Sequence, residues 1–483
     1  MTQLCEGLGP SAGVSQHEWQ CQPTLLGVPD GNIPDQMARD QPELAREVTE
    51  LLRDLIRNEC VNDGTVSSGH EVRSTDLLRG YLEGSGADIE TYEPSPGRAS
   101  LVARIEGSSP GAPTLLLMGH TDVVPVTPSG WRHDPFGAEI VDGEVWGRGA
   151  VDMLNLTSSM AVAFKKLALS GFRPEGTLIY LAVADEEALG THGAEFLVNE
   201  HADAVHADYV ITESGGIPVP SPTGIKLPVI VGEKGCYWCT LRVRGTPGHA
   251  SQPFRTDNAL VTAAEVVRRV ASYAPETQIH DVWRQFLEAM GYPDEMVAPL
   301  LSATDLRGAL DLLPDAMARQ FHACTHTTFA PTIMRGGTKV NVIPDSVDLD
   351  VDIRTLPGQT SEDVTSMLHE ALGELGADVE IVPRNYDPSS RSPMDTPLWD
   401  ALGRLTQQWY PGSLTVPFLT VGATDARFFR RAGGTAYGFG LFSQRLTFED
   451  YGTMFHGDDE RIDVESLVLS TELWEALARD FLT

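Results

Sequence analysis

Lysine is nearly absent: five of the 35 basic residues, the rest being arginine, a bias of composition that carries no chemistry by itself. Basic charge is scarce altogether. Against 68 acidic residues it leaves a formal net charge of −33, which argues against nucleic acid or an anionic membrane surface as a main partner. What remains favoured is solubility and an attraction for cations. Six cysteines in 483 residues make no disulfide framework. Cys236 and Cys239 form one C-x-x-C within GCYWCTLRVRG, but a zinc ribbon needs a second pair and there is none. The pair is expected to be reduced and to sit on a strand. No apolar run is long enough to cross a bilayer, and the N-terminus has no basic stretch leading into an apolar one, so no secretory signal is expected. Cytoplasmic residence is the default expectation, and no internal repeat is visible.

What is there belongs to a folded chain. Apolar residues make up 41% and charged residues 21%, and the length is too great for a single core. Residues 1–35 are rich in Gly, Pro and Gln without period and read as a loose arm. ELAREVTELLRDLIR (43–57) has apolar residues at helical spacing. From there strands and helices alternate: SLVARIEG, TLLLMG, TLIYLAVA and DYVIT as strands, LTSSMAVAFKKLALSG as a helix closed by Gly171, GAEFLVNEH as another. Alternation of this kind implies an α/β domain on a mostly parallel sheet. After PSPTGIKLP the texture changes to strand CYWCTLRVRG, helix NALVTAAEVVRRVASYA and a helical insertion of about 280–325. Strands TIMRGG and SVDLDVDIRT, helix SEDVTSMLHEALGEL and strand DVEIVP follow. Two strand-helix-strand halves predict a smaller α+β unit. The expected division is an arm (1–35), a larger domain in two parts (36–227 and 391–483) and an inserted smaller domain (228–390).

Ligands of open α/β sheets gather beyond the carboxyl ends of the strands. TLLLMG runs into His120 and Asp122, TLIYLAVA into Asp185, Glu186 and Glu187, and DYVIT into Glu213. Asp152 precedes a helix start, where free amides can orient a carboxylate, and His456 sits in a Gly-flanked loop of MFHGDDERI. Any one of these is ordinary: a strand-end acid is usually solvated or a cap. Together they would crowd carboxylates on one edge, where they repel unless cations sit among them. Two divalent ions bring four positive charges; Asp152, Glu187 and Glu213 with one hydroxide balance them, the histidines staying neutral. Imidazole and carboxylate without thiolate suit zinc, cobalt or manganese.

Eight motifs in order, GHTDVVPV, WGRGAVDM, ADEEALGTHGA, TESGG, GTPGHAS, KVNVIPDSVDLDVDIR, GATDAR and FHGDDERI, resemble a di-zinc metallopeptidase family. Its members are aminoacylases, glutamate carboxypeptidases, succinyl-diaminopimelate desuccinylases and carboxypeptidase S. The long insertion and the extended GFGLFSQRLTFEDYGTMFHG segment look most like the carboxypeptidase S and N-acyl amino acid hydrolase branch. The resemblance implies a two-zinc hydrolase of an amide next to a free carboxylate, acting on dipeptides, N-acyl amino acids or related conjugates. In it Asp152 would bridge the ions, His120 and Glu213 would complete one site, and Glu187 and His456 the other. Asp122 would hydrogen-bond the His120 ring, a task of orienting a ligand. Glu186 would be the general base, moving a proton from the attacking water to the leaving amine.

By the same resemblance the two-part domain would be catalytic and the inserted one a lid or dimerisation domain, whose His249 would stabilise the oxyanion in a partner subunit's site; that requires a homodimer through the lid or a closing motion in one chain. Asn341 and Arg354 would contact the substrate's carboxylate or carbonyl. Asp425 and Arg427 in GATDARFF resemble a loop near the site, without an assigned step. The chain departs from the family where the bridging aspartate opens DMLNL in place of Asp-Met-Lys-Gly-Gly. Other readings are a carbamoyl-amino-acid amidohydrolase of the same fold, a non-catalytic binding relative, and an aminopeptidase, which would need an acid for a free amine.

Overall fold

The computed structural model describes residues 34–483. The expected arm lies outside the described residues except for its last two, which open the helix Pro34–Asp40. The largest sheet has nine strands. Its centre is built from Thr177–Val183, Thr114–His120, Tyr209–Thr212 and Thr435–Gly438, side by side and parallel. Leu115–Met118 and Leu178–Tyr180 are fully buried, which is why these strands read as unbroken apolar runs: a parallel strand is covered on both faces. One cover is the helix Leu154–Leu169, buried over most of its length and packed against Val464–Phe481, where Trp474 donates to Ser159 at 3.1 Å. Gly119 permits a close approach to that helix. A Cβ there would lie 2.9 Å from the Thr157 Cα, and Thr157 hydrogen-bonds the His120 carbonyl at 2.7 Å.

The second sheet has four strands, in the order Thr328–Gly336, Ser346–Thr355, Gly235–Arg244, Val379–Asp387, all antiparallel. Its register pairs Arg242 with Asp348, Thr240 with Asp350 and Trp238 with Asp352 on one face. Tyr237, Cys239, Leu241, Val347, Leu349 and Val351 face the other way, into a core with the helices Ala259–Ser272 and Ser361–Leu372. This is the period of two expected of a half-covered sheet. Cys236 and Cys239, three apart, therefore point to opposite faces, and both are free and buried.

The chain leaves the large sheet after Glu233 and enters the small one at Gly235. The boundary expected at 228 thus falls inside the strand Lys226–Glu233, whose apolar run continues the first sheet. The insertion helices between Asp281 and Thr325 do not join the small sheet either. Trp283, Phe286, Leu287 and Phe321 form a core with Ile230, Val416 and Phe418 of the large one. Among the described residues no helix is long and apolar enough to cross a membrane.

Candidate metal centre

His120 is the last residue of its strand, Glu186 and Glu187 lie in the turn after Val183, and Glu213 follows Thr212. Three neighbouring parallel strands therefore deliver them to one edge. Asp152 sits just before the helix that starts at Leu154, and His456 follows the short helix Phe448–Met454 at a φ of 55°. The five expected ligands meet on Asp152. Its Oδ1 is 3.1 Å from His120 Nε2, its Oδ2 is 3.3 Å from His456 Nε2, and the same His456 nitrogen is 3.2 Å from Glu187 Oε2. Ligand atoms of His120, Asp152 and Glu213 lie within 4.8 Å of one another, and so do those of Asp152, Glu187 and His456. DMLNL leaves this geometry intact, because the helix begins directly after Met153.

The electrostatics fit divalent cations. Burial, and then the Glu213 charge, pushes the Glu186 carboxyl well above its ordinary range. Burial and Asp152 do the same to Glu213, and raise Glu187 to about 7. Burial would raise Asp152 too, but His120 and His456 hold it well below the usual carboxylate range. His456 is raised to about 10 by Asp152 and then Glu187. His120 is raised in spite of burial, through Asp152, Glu186 and Glu213. Glu187 Oε1 is buried without a hydrogen-bond partner. A pocket of crowded acids whose imidazoles face carboxylate oxygens is a site where protons and metal ions compete for the same lone pairs.

Asp122 differs from expectation. The His120 Nδ1 lies 2.9 Å from the main-chain oxygen of Asp122, and 3.6 Å from its carboxylate. The carboxylate instead accepts the amides of Glu186 at 3.2 Å and Glu187 at 3.1 Å, together with Asn62 Nδ2 at 2.9 Å. The turn after Val183 folds back over the loop after His120, so its two amides and Asn62 take the carboxylate in place of the ring. Asp122 thus orients His120 by its backbone and the base-bearing turn by its side chain.

Sequence reasoning missed two groups and gave a third, Asp425, no role. Glu460 is fully buried. One of its oxygens accepts Val151 N and Asp152 N at 2.6 and 2.8 Å, the other Gly149 N and Arg148 Nη1 at 2.9 and 2.8 Å. It lies inside FHGDDERI, where only His456 has an expected role, and its place in that motif was the available signal. Asn62, with Arg98 and Glu71 behind it, supports Asp122 and Asp185 from outside any motif. Asp425, buried without a hydrogen bond, is pushed up to about 7 by burial, against the pull of Arg427.

The centre floors a cleft of about 790 Å³. Trp238 and Arg354 of the small sheet face it, as do Ile217, Ile230, Phe418 and Val421 of the large domain and Ala316, Met317, Arg319 and Ala323 of the insertion. Arg354 gives Nε and Nη2 to Asp352, at 2.7 and 2.9 Å. His249 and Asn341 do not line the cleft. His249 lies on a small two-stranded ribbon opposite Val342, and Asn341 in the turn just before Val342, its carbonyl accepting the Ala250 amide.

The sequence pattern of peptidase family M20/M25/M40 matches residues 116–480. The chain is 27% identical over 465 residues to the N-fatty-acyl-amino acid synthase/hydrolase PM20D1 of Xenopus tropicalis, covering 91% of this chain and 87% of that one. With Aminoacylase-1B of Rattus norvegicus it shares 28% over 400 residues, 81% and 87% of the two chains. In fold it is similar to the M20 family metallo-carboxypeptidase Sso-CP2 of Sulfolobus solfataricus, with a TM-score of 0.65 at 18% identity over 90% of this chain and 98% of the other. A match over most of the length means that the chain belongs to peptidase family M20/M25/M40.

Proposed function

We propose that the protein hydrolyses an amide beside a free carboxylate, its substrate an N-acyl amino acid with an apolar acyl group, on two divalent ions held by His120, Asp152, Glu187, Glu213 and His456. The observation that carries the reading is the convergence of those side chains on both oxygens of Asp152, at the floor of a cleft with an apolar wall. Zinc suits the donors best, with cobalt and manganese close behind. Bound there, such ions supply Lewis-acid polarisation of the amide carbonyl and a water of lowered pKa, about 7 on zinc.

The chain's own residues handle protons and orientation. Glu186, free of the ligand set and held by Asp122 through its amide, takes the proton of the attacking water and passes it to the leaving nitrogen. Arg354 keeps Nη1 for the substrate's carboxylate after Asp352 has taken Nε and Nη2. Arg319 stands exposed at the rim as a second cation. The frog relative is named for fatty-acyl amino acids, and the wall of Ile217, Ile230, Phe418 and Val421, completed by the insertion, suits such a chain.

The test is to count bound metal and assay acetyl-, medium- and long-chain acyl amino acids and dipeptides, with and without chelator. Two metals per chain and chelator-sensitive release of the amino acid are expected. Metal-free protein that stays inert after zinc or manganese is supplied would instead favour a binding module. Filling the wall with Ala316→Trp is expected to lower kcat/KM for long acyl chains by about tenfold and to spare acetyl substrates, since apolar pocket contacts are worth about 1–3 kcal/mol.

A homodimer through the small sheet is part of the same proposal. Thr328–Gly336 is an edge strand with Ile333 and Met334 exposed, and the adjacent helix exposes Leu260 and Val261. A second copy pairing along that edge would cover them. His249 and Asn341, outside the cleft of their own chain, fit a role across such an interface. Sedimentation is expected to give a dimer that Val261→Asp with Ile333→Lys converts to monomer. A cytoplasmic site of action fits the four free cysteines among the described residues.

A further inference from the structure

The short helix Ala426–Arg431 carries three arginines, and all three reach the strands by which the chain passes between the two sheets. One passage is Glu233–Gly235; the other runs from Asp387 to Ser390. Arg430 donates to Glu233 Oε1 and to Ser390 Oγ, both at 3.1 Å. Arg431 pairs with Asp387 and donates to the Pro388 carbonyl at 2.9 Å. Arg427, almost fully buried, forms an ion pair with Asp387, Nε to Oδ2 at 2.5 Å.

Arg427 alone of the three also reaches the catalytic turn. Its Nη2 donates to the Leu189 carbonyl at 2.9 Å and its Nη1 to the Thr424 carbonyl at 2.5 Å. Leu189 closes the turn that holds Glu186, its amide bonded to the Glu186 carbonyl at 3.1 Å. The next residue, Gly190, has a φ of +71°, and a Cβ on it would meet Asp425 Oδ1 at 2.4 Å. The turn therefore rests directly on residues 424–427. From the other side Asp122 holds the amides of Glu186 and Glu187, but Asp122 is anchored within the large domain by Asn62. Only the Arg427 side of the turn is joined to the inter-sheet strands. A guanidinium is a planar, rigid fork, so a shift at its ion-pair partner Asp387 is passed to its carbonyl acceptors rather than absorbed.

We infer that Arg427 is a positioning residue for Glu186, transmitting the geometry of the inter-sheet strand at Asp387 to the turn that carries the general base. The role of Glu186 rests on the hydrolase reading above; the clamp itself does not.

Asp387→Asn, Arg427→Lys and the double variant test it. In each, kcat for an acetyl amino acid is expected to fall about tenfold or more with KM nearly unchanged, as misplacement of a catalytic group by about an ångström does. Metal content should hold at the wild-type value. Amide hydrogen exchange in a peptide spanning 185–192 is expected to speed up in Asp387→Asn, although Asp387 touches none of those residues. The double variant should be no worse than Arg427→Lys, since both remove one connection. Should Arg427→Lys fail to fold, Asp387→Asn decides alone. An Asp387→Asn protein with wild-type kcat and wild-type exchange at 185–192, whatever its melting temperature, overturns the inference. A wild-type chain inert on every acyl amino acid, with the exchange coupling intact, sinks the hydrolase reading and leaves the clamp standing.

Discussion

Glu186→Gln is expected to lower kcat for amide release by about a hundred- to ten-thousandfold while the protein keeps its metal. The substitution preserves shape and the main-chain bond from Glu186 N to Asp122 Oδ1 at 3.2 Å, so the turn stays where it is. What is lost is an acid of the turn that lies outside the candidate ligand clusters and lines the cleft. An amide cannot accept the water's proton and return it to a leaving nitrogen. Its neighbour supplies the control. Glu187 shares His456 Nε2 with Asp152, at 3.2 and 3.3 Å, so Glu187→Gln should lose metal first and activity in consequence. Metal content beside single-turnover rates separates the two. Full turnover in Glu186→Gln would mean that another group moves the proton.

Much of this arrangement is legible in the sequence because its signals are local. Three central strands of the large sheet announce themselves as apolar runs leading into an acid or histidine, and their parallel order then brings the ends together. SVDLDVDIRT alternates strictly, and its apolar set does face the helices. The insertion is less readable. Trp283, Phe286 and Leu287 mark a helix with an apolar face, but periodicity does not say what covers that face. The covering residues, Ile230, Val416 and Phe418, come from two distant strands of the large sheet. That packing turns an anonymous insertion into a wall of the cleft. Asp122 differs for a related reason. The resemblance implies a side-chain bond to the His120 ring, but the folded turn after Val183 brings two main-chain amides to the carboxylate.

Asp122 and Glu460 solve the same problem at two loops. Each is a buried carboxylate that gathers main-chain amides of a distant ligand-bearing segment, and so fixes where the next side chain points. Neither needs to touch a metal ion to set the geometry of one. Carboxylates suit this task because two oxygens can receive several donors without needing any in return.

Glu460→Ala is accordingly expected to be the most destabilising single change at the site. It would leave the Arg148 guanidinium, 3% exposed, without its anion, and three amides of 149–152 without their acceptor. Removing one partner of a buried pair costs about 3–5 kcal/mol, and the orphaned amides add to that. Part of the loss should appear as metal affinity, because Asp152 is the shared ligand in both clusters and its amide is among those released. Glu460→Gln sharpens the test. Its side chain keeps the volume but offers one acceptor where two are used, and its NH₂ would face donors. Urea unfolding with metal titration should find both variants weaker in stability and in metal binding, Ala more than Gln. Were Glu460→Gln to bind metal like the wild type while only its unfolding midpoint fell, Glu460 would be a brace for the fold alone, and Asp152 would owe its position to the helix that follows it.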